Sequence, residues 1–288
     1  MRLLVTIPHF YRHIPGDHGT YGSERDSQSV RIQSVARCIA ALHQTFGPRQ
    51  ALYDKRSLAC NAALAMTVDV VIVTTAADHL ADHLPRGMFR QLAMETDPRH
   101  LGFACQNLMR HRADGYDWFA YLEDDIEVTD PLLFVKLAWF IQQFGPSALL
   151  QPNRFEVVEG RIAAKLYVDG ELKYPSTTGR FQDISVRPTL MAEAFGRPLH
   201  FDRAANPHSG CFFASAQQLG RMALSPLFGE PAQTFIGPLE TAATMMIMRT
   251  FDVYKPALDS AAFLEVRHLG RRFLHDDGRV KADPTADQ

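Results

Sequence analysis

The first apolar run of the chain, "RLLVTIP", is β-branched and shows no alternation, so it predicts a strand buried on both faces and stopped at Pro8. A loop rich in Gly, His and Tyr follows, and then the period changes. In "SQSVRIQSVARCIAALHQTFG", Ile32, Val35, Ile39, Leu42 and Phe46 recur at steps of three and four, the stripe of a helix that Asp26 or Ser27 caps and Gly47-Pro48 ends. "VDVVIVTT" (Val68 to Thr75) is again a continuous apolar strand, and "RQLAMET" reads as a shorter one. "HLGFACQNLMRHRADG" predicts a helix closing at Gly115, "YDWFAYLEDD" a central strand, and "DPLLFVKLAWFIQQFG" an apolar helix with Asp130 at its N-cap and Pro131 in its first turn.

Alternation of strand and helix up to Phe144 predicts an α/β fold, with a largely parallel sheet covered on both faces. Beyond it the texture changes. "RFEVVEGRIAAKLYVDGELKY" reads as antiparallel strands turning at Glu159-Gly160 and Asp169-Gly170. "HSGCFFASAQQLGRMAL" gives a short strand and a helix, and "PLETAATMMIMRTFDVYKP" a helix leading into a strand. Its stretch "TMMIMRTF" is either core or an apolar surface through which two copies would pair as a homodimer. The expected organisation is one domain over 1–275, with a ligand-binding half at 1–128 and a mixed, more antiparallel half at 129–275, followed by a polar, flexible tail at 276–288.

Composition narrows the function classes. With 288 residues, 46% hydrophobic and 22% charged, the chain is an ordinary globular one, and its net charge of −2 gives it no general attraction to nucleic acid or anionic membrane. No apolar run is long enough to span a bilayer. Four scattered cysteines without a CxxC spacing argue against a cysteine zinc site and fit a reducing compartment, so the expected location is the cytoplasm.

Candidate chemistry centres on "AYLEDDIEV", where Glu123, Asp124 and Asp125 crowd the end of an apolar strand. Ligands of open α/β sheets bind beyond the carboxyl ends of the strands. Three adjacent carboxylates repel one another unless a cation lies among them, and hard divalent ions such as Mg2+ or Mn2+ take oxygen ligands and neutralise diphosphates. The bland reading, an acidic turn capping the next helix, is already satisfied by Asp130. "DIEVT" approaches the DxDxT nucleophile motif of haloacid-dehalogenase-like phosphatases, but Glu127 stands where that motif requires Asp.

An apolar strand ending in Glu123-Asp124-Asp125, after a βαβ half and before a mixed half, resembles the GT-A glycosyltransferases, in which a DxD motif has an EDD variant. The resemblance implies a GT-A-like, Rossmann-type central sheet and an acceptor-side half. It implies transfer from a nucleoside-diphosphate sugar, UDP- or GDP-linked, to a hydroxyl of a carbohydrate or other acceptor, with inversion. In its terms Asp125 binds the metal, and Glu123 and Asp124 contact ribose or sugar or reach the metal through water. Pro8, Phe10, Tyr11, Thr74 and Thr75 lie where the nucleotide base is held, although Phe10 and Tyr11 equally suit the core.

The Gly- and His-containing loop after the first strand would form a lid, from which Arg12, Arg25 or Arg31 would reach phosphates. His208, Ser209 and Gly210 correspond to an acceptor-side segment, or to a plain turn into a strand. Glu240, just after Gly237-Pro238, corresponds to the catalytic base, or to an acid that merely favours a helix start. His268 corresponds to a late metal ligand, and an imidazole there favours Mn2+ over Mg2+. Arg271 and Arg272 would balance the leaving diphosphate. Two other readings compete: a sugar-phosphate nucleotidylyltransferase, whose Gly-rich basic signature after the first strand is missing here, and a non-catalytic nucleotide- or carbohydrate-binding module of the same fold.

Overall fold

The computed structural model describes residues 1–13, 23, 26–53, 57–158, 164–170, 172, 177–231, 235–270, 272–275 and 278–281. The strands are β1 (Arg2–His9), β2 (Ala51–Leu52), β3 (Leu58–Ala59), β4 (Thr67–Thr75), β5 (Arg90–Met94), β6 (Trp118–Leu122), β7 (Ile126–Glu127), β8 (Ala148–Leu150), β9 (Asn153–Val158), β10 (Ala164–Tyr167), β11 (Thr189–Ala194), β12 (Arg197–Arg203), β13 (Cys211–Ser215), β14 (Asp252–Pro256) and β15 (Glu265–His268). The helices are α1 (Gln28–Phe46), α2 (Leu101–His111), α3 (Leu133–Phe144), α4 (Ala216–Ala223) and α5 (Pro238–Thr250).

The fold is mixed α/β. Its central sheet has the order β13-β6-β1-β4-β5, with β1, β4, β5 and β6 parallel and β13 antiparallel to β6. Successive residues of β1 point to opposite faces and each face is covered, which is why the run does not alternate. Leu3, Val5 and Ile7 pack with Val35, Ile39 and Leu42 of α1 and Phe134 of α3. Leu4 lies in the opposite cluster with Phe103 and Met109 of α2 and Ile247 of α5. Two further four-stranded sheets, β10-β9-β15-β7 and β11-β12-β14-β8, and a two-stranded sheet of β2 and β3 complete the strands.

Several element ends differ from the sequence expectation. Helix α2 stops at His111, where Arg112 leaves helical geometry at φ −113° and ψ 21°; Gly115, at φ +95°, lies further on in the turn that delivers the chain to β6. Asp130 does not cap α3 at its own N-cap. Its carboxylate accepts the Leu132 N–H at 2.9 Å and pairs with Lys136 at 2.6 Å, one turn ahead of a helix that begins at Leu133. Thr244 to Met248 of α5 and Phe251 beyond it are buried, so the apolar residues of the stretch considered as a dimer surface are core. Gly102 of α2 lets the two helices touch, since a Cβ there would lie 2.5 Å from that of Ala242. Val280, within the segment expected to be a tail, forms an antiparallel bridge with Leu274 just ahead of it. Most of the expected lid, including Gly16, Gly19, Gly22 and His18, lies outside the described residues, as do the Glu159-Gly160 turn, Arg25 and Arg271.

Candidate functional site

The topology gathers the acidic triplet with three distant segments. Because β13 runs antiparallel to β6, its start meets the end of β6: Cys211 pairs with Leu122, and the Glu123 N–H donates to the Gly210 carbonyl at 2.8 Å. Because β15 runs antiparallel to β7, His268 pairs with Ile126, and the Leu269 N–H donates to the Asp125 carbonyl at 2.8 Å. Glu240 joins from the first turn of α5, close enough for its charge to act on Glu123. The structure therefore brings together Glu123, Asp124, Asp125, His208, Ser209, Gly210, Glu240 and His268.

The three acids have different surroundings. Asp124 is buried between the ends of two elements: His9 Nδ1 lies 2.6 Å from Oδ2, and the Arg31 guanidinium of α1 pairs with Oδ1. The Leu80 N–H can only donate and lies 3.0 Å from His9 Nε2, so the His9 proton sits on Nδ1 and is given to Asp124. Burial works against the Asp124 charge, yet Arg31 and His9 outweigh it and hold the carboxyl below its usual range. This acid fastens β1, α1 and the end of β6 together.

Removing one member of such a pair strands the other charge in the interior. Arg31→Met is expected to destabilise the fold by about 3–5 kcal/mol. A denaturant midpoint equal to wild type would show that Arg31 does not hold Asp124.

Asp125 lies between His268 and Arg31. Its Oδ2 lies 3.5 Å from His268 Nε2 and 3.6 Å from an Arg31 nitrogen, while Oδ1 is buried with no hydrogen-bond partner. Burial opposes its charge, but His268 and Arg31 prevail and keep the carboxyl well below the carboxylate range. Burial lowers the His268 pKa, and the charge of Asp125 with the bonds to Asp125 and Glu156 more than reverses this, raising it to about 9. Glu123 is the opposite case. Burial first, and then the Asp125 charge, push its carboxyl up, so that it tends to keep its proton.

Residues 208–210 form the wall opposite. His208 is buried, with Nδ1 at 3.2 Å from the Thr244 hydroxyl and Nε2 at 4.0 Å from Glu123, and desolvation with the nearby Arg154 charge drives its pKa down to about 3. Ser209 donates to the Pro152 carbonyl at 2.8 Å. Gly210 has φ +63°, and a Cβ there would come within 2.9 Å of Glu123 Oε2 and Ile126 Cδ1, so only glycine lets β13 approach the acids. Glu240 Oε2 is buried and has no hydrogen-bond partner among the described residues.

The nucleotide-side candidates sit at the ends of β1 and β4. Pro8 pairs with Val73 in the sheet, and Thr75 donates to the Asp78 carbonyl at 3.3 Å. Phe10 packs on the core beneath the Arg12 guanidinium at 5.6 Å, and the Tyr11 hydroxyl reaches the Asp26 carbonyl at 3.4 Å. Thr74 is buried and accepts from Gln91 at 2.9 Å.

Sequence reasoning missed the cationic and carboxylate frame behind the acids. Arg154 pairs with the buried Asp169 at 2.9 Å, and Lys255 bridges Asp169 at 3.1 Å and the His208 carbonyl at 2.6 Å. Glu156 accepts from His268 Nδ1 at 2.9 Å. Arg31, expected either to reach phosphates or to be a plain surface charge, is buried on the apolar face of α1, four residues before Val35.

Among the described residues no three His, Cys, Asp or Glu side chains converge to hold a metal ion. Two do fit one. An octahedral ion about 2.1 Å from each of two adjacent ligands holds them about 3.0 Å apart, which small side-chain rotations reach from the 3.5 Å between Asp125 and His268. The partnerless Asp125 Oδ1 adds a free acceptor beside them. The remaining positions would fall to substrate phosphate oxygens and water, as is usual for Mg2+-type sites.

No family model matches the chain, and no curated protein matches it in sequence. Solved structures are similar in chain path. One is a crystal structure of GalNAc-T7 with UDP, GalNAc and Mn2+, at a TM-score of 0.48 and 13% identity over 93% of this chain and 43% of that one. Another is residues 1-349 of S. aureus TarS, at 0.41 and 10% identity over 88% of this chain and 58% of that one. A further structure of S. aureus TarS scores 0.40 at 10% identity, over 88% of this chain and 35% of that one. The chain thus spans well under two thirds of each. With TM-scores under 0.5, what this chain does has to be argued from its own residues. Among the described residues, no helix is long and apolar enough to cross a membrane.

Proposed function

We propose that this chain is a metal-dependent glycosyltransferase of GT-A type, moving a sugar from a nucleoside diphosphate to an acceptor hydroxyl with inversion at the anomeric carbon. The observation that carries the reading is the division of labour within one cleft. Asp125 and His268 face each other as a ligand pair, while the Glu240 carboxylate enters from a helix start with an unpartnered oxygen. A divalent cation bound there, Mn2+ in preference because of the imidazole, would supply positive charge to the departing diphosphate.

The chain's own residues account for the rest. Glu240 accepts the proton of the acceptor hydroxyl as that oxygen attacks. Glu123 suits this task poorly, since burial and Asp125 favour its protonated form; as a carboxylic acid it instead donates to a ribose or sugar oxygen. His208, Ser209 and Gly210 wall the acceptor side. Pro8, Phe10, Tyr11 and Thr75 border the nucleotide base.

Calorimetric titration with UDP and with GDP, each with and without Mn2+, tests the reading. One nucleotide is expected to bind tightly only when Mn2+ is present. Affinity for both that is indifferent to metal would remove the site as drawn.

A further inference from the structure

We infer that Glu156 is the positioning residue that aims His268 at the metal, by fixing the imidazole and the turn after it with a single carboxylate. The inference rests on the assignment of Asp125 and His268 as metal ligands made above. Strands β9 and β15 run parallel with Arg267 beside Phe155, and the next step along both places His268 beside Glu156. The Glu156 side chain is 0% exposed. Its Oε1 accepts from His268 Nδ1 at 2.9 Å and from the Arg272 N–H at 2.9 Å, and its Oε2 accepts from the Phe273 N–H at 2.9 Å.

A glutamate on the buried face of a strand stays only if its oxygens are satisfied, and among the described residues every donor belongs to His268 or to the turn beyond it. With Nδ1–H committed to Glu156, Nε2 is the nitrogen left to face Asp125 Oδ2 at 3.5 Å. The turn closes on the ring from another side: a Cβ at Gly270 would lie 2.5 Å from His268 Cε1. The Leu269 N–H bond to the Asp125 carbonyl ties that turn to the opposing ligand. The ring is therefore held in place by the Glu156 carboxylate, and the turn around it by the close approach of Gly270 and the backbone bond to Asp125.

An outer carboxylate of this kind fixes the histidine tautomer and raises its basicity, and its loss typically costs about 10–100-fold in metal affinity. A purely structural role, pinning residues 272 and 273, would also satisfy the hydrogen bonds. The two are separated by a double-mutant cycle of Glu156→Gln, His268→Ala and the double variant. Free Mn2+ is read by electron paramagnetic resonance in the presence of UDP, and of GDP in parallel.

Glu156→Gln is expected to weaken Mn2+ binding by about 10–100-fold in the wild-type background. In the His268→Ala background it is expected to add no more than about twofold, since a residue acting through another has nothing left to act on. Gly270→Ala, which leaves Glu156 untouched, is expected to weaken Mn2+ binding in the same direction, and the spin echo of bound Mn2+ is expected to lose its imidazole nitrogen signal in His268→Ala. An equal loss from Glu156→Gln in both backgrounds overturns the inference, as does wild-type affinity in Glu156→Gln. Wild-type affinity in His268→Ala instead overturns the ligand assignment beneath it, and absence of Mn2+ binding by the wild-type chain with either nucleotide overturns both.

Discussion

Asp125→Ala is expected to abolish the Mn2+-dependent part of nucleotide affinity, a loss on the order of 100-fold or more, because a ligand contributes at least what an outer-shell partner does. Affinity measured without Mn2+ should be unchanged, since the acid meets the nucleotide only through the cation in this reading. Stability is a separate matter. The Asp125 carboxyl is held below its ordinary pKa by His268 and Arg31 against the opposing effect of burial, so its ionised form stabilises the fold above the unfolded pKa, and that contribution disappears in the variant at neutral pH. Asp125→Asn keeps the side-chain shape and the contacts to His268 and Arg31 without the charge. Both variants are expected to lose metal-dependent binding and the stability that the ionised carboxylate contributes, so both melt below wild type, the alanine variant furthest because it also loses the side-chain contacts. Mn2+-dependent nucleotide affinity equal to wild type in either variant would refute the site.

How much of this was legible in the sequence depends on the range over which each signal acts. The central strands were readable because burial on both faces leaves an unbroken apolar run, as in "RLLVTIP" and "VDVVIVTT". The acidic triplet was readable because a strand end in an α/β sheet is a known position relative to the ligand cleft. Glu240 was readable because Gly237-Pro238 announces a helix start, and the helix does begin at Pro238.

The frame was not readable, for three reasons. Asp169-Gly170 spells a turn in local chemistry, and only Arg154 and Lys255, brought together by the tertiary fold, make Asp169 a buried anion. Glu156 lies 112 residues from His268, and no local pattern encodes the pairing of β9 with β15. Arg31 did leave a signal, a charge on the apolar stripe of α1, and a charge kept on a buried face implies a buried partner. Periodicity identified the helix and discarded the one residue that broke it.

Glu240→Gln separates the competing functions most sharply. In the transferase reading the variant binds donor nucleotide and Mn2+ within a few-fold of wild type, and loses about 10²–10⁴-fold in kcat for sugar transfer, the usual contribution of a general base. A non-catalytic module has no turnover to lose, so the same variant would leave every measurable property in place. The substitution is mild for the fold. A carboxylate in the first turn of a helix contributes only about 0.3–1 kcal/mol, which corresponds to a melting shift of no more than about 2–4 °C in a chain of this size. Glu240 Oε2 has no hydrogen-bond partner among the described residues to leave stranded, and a melting temperature measured beside kcat separates a kinetic loss from collapse of the site. Glu123→Gln supplies the contrast. With its carboxyl already favouring the protonated form, the amide mimics its resting state, and the expected effect falls on donor affinity rather than on kcat. Unchanged kcat in Glu240→Gln, together with a collapse of kcat in Glu123→Gln, would transfer the base to Glu123. That exchange would mean that cation and substrate binding reverse the electrostatics of the free cleft, because Glu123 would then have to ionise against both burial and Asp125.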